Sequence, residues 1–116
     1  MLRQGTTAGL FILAATVAAS AHHGWGSYDS TKKFTIESAV EMVAWQNPHA
    51  HVMLNYENAT WEVTLAPISR MQRRGLSEEM LKGGTVIQAE GYPSTRREHE
   101  MRAERITVGG KVYEMR

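Results

Sequence analysis

From Phe34 onward apolar and polar residues alternate with a period of two, a pattern that one face of a sheet can bury and a helix cannot. Phe34, Ile36, Val40 and Met42 take one phase, and Thr35, Glu37, Ala39 and Glu41 the other. That predicts a half-buried strand with Met42 on its apolar side. Asn47-Pro48 ends it, because proline removes a ladder donor. A second strand is expected over His49–Tyr56, then a tight turn at Glu57-Asn58-Ala59. In a third strand Trp61, Val63 and Leu65 face away from Glu62 and Thr64. Two strands joined by so short a turn form a hairpin.

After the hairpin the period changes. Pro67 suits the first turn of a helix, Ile68 and Met71 are three apart, and Gly75 suits a C-terminal cap, which predicts a short helix over 67–74. A further turn is expected from Ser77 to Leu81. Strands follow at Thr85–Gly91, at about His99–Val108 and in a short segment ending at Met115, with Gly109-Gly110 as a turn. Three strands, a helix and two or three more strands is the order of an OB-fold, a small Greek-key barrel. The expected class is therefore all-β, an OB-fold-like barrel with one short helix between strands 3 and 4. An open α+β sheet with one helix is the competing architecture.

The first residues predict export. Arg3 begins a positive region, Ala8–Ala19 is apolar and uncharged, and Ala19-Ser20-Ala21 fits a signal-peptidase site. The expected organisation is a signal peptide over 1–21, an extended Gly- and Ser-rich arm over 22–33, and a barrel over 34–116. The mature product would be periplasmic or secreted, with no membrane insertion. Arg3 is the only charge in the leader, so the whole-chain balance of 13 Lys+Arg and 12 Asp+Glu falls to parity after cleavage. A neutral surface lacks the basic footprint of nucleic-acid binding. Arg70, Arg73 and Arg74, and Arg96 with Arg97, read as solvated clusters. There is no cysteine, which excludes disulfides, thiol catalysis and thiolate metal sites. Stability must come from sheet closure, apolar packing or a bound ligand.

Histidines supply the candidate chemistry. His22 and His23 are adjacent, and His49, His51 and Met53 recur at every second position, so a strand would project all three from one face. Imidazole with thioether suits copper-type ions. Cleavage after Ala21 would also place the α-amine beside the imidazole of His22, a chelate favoured by copper. The candidate metal ligands are thus His22, His23, His49, His51 and Met53, with Trp25, Trp45 and Trp61 as aromatics on the ligand face. Each has a plainer reading: a polar tail for His22 and His23, a solvent face for His49 and His51, and core packing for the tryptophans. His99 lies in a charged stretch and reads as solvated. Glu37, Glu41, Glu62 and Glu90 show no spacing that pairs two for acid–base work, and no serine elbow or phosphate loop is present.

His22-His23, Trp45-x-Asn47-Pro48-His49-Ala50, Arg73-Arg74-Gly75 with Leu81-Lys82-x-Gly84, and Glu90-Gly91-Tyr92 resemble a family of small exported bacterial proteins, a domain of unknown function. The resemblance implies a signal-bearing single β-barrel and no activity. By analogy of chemistry alone, exported OB-fold copper and silver chaperones use one His, two Met and a Trp. This sequence offers His49, His51, Met42, Met53, Trp45 and Trp61 without their spacing. The expected function is non-catalytic binding of a copper ion for buffering or delivery. The rival is a metal-free module of the cell envelope that grips a protein partner or a small ligand.

Overall fold

The computed structural model describes residues 24–116. The expected leader over 1–21, and His22 and His23, lie outside the described residues. Six strands follow in order: β1 (Phe34–Ala44), β2 (His51–Tyr56), β3 (Ala59–Thr64), β4 (Val86–Pro93), β5 (Glu100–Val108) and β6 (Lys111–Glu114). They pair as β3-β2-β1-β4-β5-β6, and a parallel pairing of β3 with β5 closes the first five into a barrel. This is the expected all-β barrel with the OB-fold strand order, and β6 is added at the edge of β5.

Local chemistry accounts for the turns. Glu57 and Asn58 have φ of 52° and 65°, the left-handed pair of a two-residue hairpin turn, and bring Tyr56 opposite Ala59. One helix, α1 (Ile68–Arg73), lies between β3 and β4. Its end is a Schellman motif: Gly75 at φ 91° donates to the Gln72 carbonyl, and Leu76 donates to that of Met71. Met71 and Leu76 are both buried in the barrel core. Pro67 sits one position earlier than expected, as the residue before the first helical turn.

Inward positions of every barrel strand fill the core: Ile36 and Val40, Val52 and Leu54, Val63, Ile87 and Ala89, and Met101, Ala103 and Ile106. The alternation of β1 does not run unbroken. A β-bulge between Val40 and Met42 inserts one residue, so Val43 faces Val52 and Met42 faces Met53. Met42, expected on the apolar side, is therefore outside and 59% exposed.

Candidate functional site

Outward positions of β2, β3 and β5 should meet water, yet Thr64, Glu100 and Arg102 are buried. The cover is the N-terminal arm. A 3₁₀ turn at Trp25–Ser27 leads into an isolated bridge between Tyr28 and Ser94, and Asp29 donates its amide to the Pro93 carbonyl. Thr95 donates both its amide and its hydroxyl to the Ser27 carbonyl. Trp25 stacks between two guanidinium groups, 4.3 Å from that of Arg102 and 4.0 Å from that of Arg116, and meets the Tyr92 ring edge-on. Cation–π contacts of this kind hold an aromatic in one orientation.

Beside the arm the surface opens into a cleft of about 460 Å³. Its floor is the outer face of β2, β3 and β5. One wall is the β1–β2 loop, with Pro48 and His49, and the other is the β4–β5 loop, with Ser94, Arg96 and Arg97. The parallel register sets Glu62 opposite Glu100 and Thr64 opposite Arg102. Arg97 reaches over this ladder to both carboxylates, 2.9 Å from Glu62 and 3.4 Å from Glu100. Tyr28 donates its hydroxyl to Glu100 at 2.7 Å. Burial, then that acceptor carboxylate, push the Tyr28 phenol up to about 12. Burial likewise lowers the Arg102 guanidinium from its ordinary value.

The structure brings His49 and His51 to the same cleft but gives them different neighbours. His51 lies across from Thr64, with Nδ1 2.9 Å from Glu62 and 3.3 Å from the Thr64 hydroxyl. Glu62 thus accepts the Nδ1 proton, and the lone pair falls on Nε2. His49 precedes β2 and lies in the loop after the cis Asn47-Pro48 bond, with Nε2 3.3 Å from an Arg102 nitrogen. Met53 is on the same outer face as His51, half-buried and paired with Glu62, but does not line the cleft. Trp25 holds the arm in place. Trp61 is opposite Leu54, on the inner side of β3, with its ring against Phe34, Tyr56 and His99. Trp45 packs on the core. Neither of these two faces the cleft, because the pleat of β3 and the bulge of β1 turn them elsewhere.

The residues that shape the cleft beyond the histidines are Tyr28, Glu62, Thr64, Arg97, Glu100 and Arg102. Their only sequence signal is alternation: Glu62 and Thr64 bracket Val63, and Glu100 and Arg102 bracket Met101. Arg97, expected in a solvated cluster, is the bridge between the two carboxylates. Among the described residues no group of three His, Cys, Asp or Glu side chains converges as a metal centre would. None of the described helices is long and apolar enough to cross a membrane.

Comparison with known proteins bears on the fold. The crystal structure of a ZRD-deleted mutant of TiaS in complex with agmatine matches with a TM-score of 0.54 and 14% identity, over 75% of this chain and 27% of that one. At that identity the likeness is one of fold. None of the curated proteins compared matches the chain. The model of a family of unknown function (DUF6152) matches residues 10–104.

Proposed function

Since the chain belongs to that family of unknown function, we propose from its geometry that it is a non-catalytic binding protein of the cell envelope whose cleft takes a small polar ligand with an anionic group. The observation that carries this reading is the preorganised floor. Arg97 ties Glu62 to Glu100, and the arm holds Tyr28 against Glu100 before any ligand arrives. The cleft lies between the β1–β2 and β4–β5 loops on the strand 2–3 face, where OB-folds take their ligands. Its volume falls within the range of small-molecule sites. Three arginines, Arg96, Arg97 and Arg102, line it against two glutamates, so an anionic group meets a favourable field. Hydroxyls of Ser27, Tyr28, Thr64 and Ser94 along its lining supply orientation.

The same charges weigh against the copper ion expected between His49 and His51. A cation held between them would lie beside Arg102, 3.3 Å from His49 Nε2, and like charges at a few ångströms repel. Export belongs to the proposal too, and the mass of the protein recovered from the periplasm should correspond to a chain starting at His22.

The binding test is a titration of the ¹⁵N-labelled protein with citrate, glucuronate and inorganic phosphate in turn. Amides of residues 49–51 and 94–97 should shift with at least one, and Arg96→Ala with Arg97→Ala should abolish the shifts without unfolding the barrel. No movement with any of the three would remove the anionic-ligand reading.

A further inference from the structure

A second set of side chains lies on the same outer surface, across β2 from the arginines, and owes its existence to the bulge of β1. The extra residue between Val40 and Met42 turns Met42 out of the core and sets it directly opposite Met53. Directly opposed side chains on antiparallel strands have their β-carbons about 4.5–5.5 Å apart. His51 is two residues before Met53 on the same face, so its side chain stands about 7 Å along the strand and diagonal to Met42. Met42 is 59% exposed and Met53 half-buried. Each thioether has three rotatable bonds, so both sulfurs can swing toward the imidazole.

His51 is already prepared as a ligand. Glu62 holds its Nδ1 proton at 2.9 Å, which fixes the tautomer and leaves Nε2 to donate. Metal-binding histidines commonly rely on a carboxylate in this way, since it orients the ring and raises its basicity. Glu62 faces Arg97 with its other oxygen, so the guanidinium is on the far side of that carboxylate from the imidazole. The negative charge between them screens an ion at His51 from the arginine.

We infer that Met42, Met53 and His51 Nε2 form a surface site for a soft monovalent cation of the copper(I) or silver(I) type. Two thioethers and one imidazole make a three-coordinate set that suits such ions, whereas magnesium and calcium require oxygen ligands. The site does not depend on the anionic-ligand reading of the cleft. Nor does it use His49, whose Nε2 faces Arg102.

Silver(I) is the probe, because it does not change oxidation state in air. The protein with its natural amino terminus, ¹³C-labelled at the methionine methyls, is titrated with silver nitrate in a chloride-free buffer. The Met42 and Met53 methyl signals and the His51 ring signals should shift together and saturate at one equivalent, while those of buried Met71 and Met101 stay in place. Met42→Leu with Met53→Leu should weaken binding at least tenfold, and Met80→Leu, also at an exposed methionine, should leave it unchanged. Glu62→Gln, which keeps an acceptor for Nδ1 but removes the charge, should weaken it less, and Glu62→Ala should reduce the His51 shift. Because Met42 is outside the core, the leucine variants should keep their thermal midpoint, and loss of binding then reports the site and not the fold. Equal silver affinity in the double variant, or shifts at His22 and His23 with Met42 unmoved, would overturn the assignment.

Discussion

A β-carbon at position 91 would lie 2.8 Å from Cα of Ala103 and closer still to the carbonyl oxygen of Arg102. Gly91 sits where the β4–β5 register shifts, beside Glu90, which is paired with Arg105. Both colliding atoms are backbone, so neither can swing aside. Gly91→Ala should destabilise the barrel by about 3 kcal/mol or more, read from urea unfolding, because overpacking without a flexible neighbour forces the strands apart. The glycine of the Glu90-Gly91-Tyr92 motif thus has a steric reason that the sequence alone could not supply, since it depends on a strand more than ten residues away.

Tyr28 provides a pH test at the same scale. Its folded phenol titrates near 12 against an unfolded value of 10, first through burial and then through the hydrogen bond to Glu100. A raised value means that the folded state favours the protonated phenol. The contribution to stability is therefore complete below pH 10 and disappears as the pH rises from 10 to 12. The Tyr92 phenol is also raised, chiefly by its hydrogen bond to Glu104. Tyrosinate absorbance should therefore show late titration from both phenols, and Tyr28→Phe should remove only the component near pH 12 together with the matching part of the alkaline loss in stability.

At the scale of elements, the strands were legible because a period of two is a local property, and the hairpin turn and helix cap follow from single residues. The bulge in β1 was not legible. Its inserted residue lies among Val40, Glu41 and Met42, where either phase of the alternation can be drawn, and only the partner strand decides which is used. His49, read as the start of a strand, lies in the loop before β2. The alternation of β3 did set Trp61 with Val63 opposite Glu62, and that inner face is why Trp61 is not an aromatic of the cleft. The arm was expected as an extended segment, but nothing local foretold that Trp25 would stack between Arg102 and Arg116, residues far along the chain. Trp25→Ala should cost about 1–3 kcal/mol from the lost stacking and aromatic burial. Hydrogen exchange at the Asp29 and Thr95 amides, which bond Pro93 and Ser27, should then accelerate while the amides of β1 and β4 remain protected.

For the molecule as a whole, the decisive contact is the parallel pairing of β3 with β5, which sets Val63 beside Met101 and Glu62 beside Glu100. Met101 is fully buried at that seam, and Met101→Ala should cost about 2–5 kcal/mol through the cavity it leaves. Equilibrium unfolding followed by tryptophan fluorescence and by far-ultraviolet circular dichroism should give coincident transitions, since no barrel strand has a separate core. The seam also explains why the candidate site was only partly readable. His49 and His51 are close in sequence, whereas Glu62, Arg97, Glu100 and Arg102 meet only when the barrel closes.

That closure sets an order of events. The cleft floor is shared by β2 and β3 on one side of the seam and β5 on the other, and the arm beside it docks on the Pro93–Thr95 segment leading into β5. A chain emerging from its amino end, synthesised only as far as β4, therefore holds four strands and no closed cleft floor. The cleft arrives in a single step with the last barrel strand, so the binding proposed for it would report that the chain has finished folding.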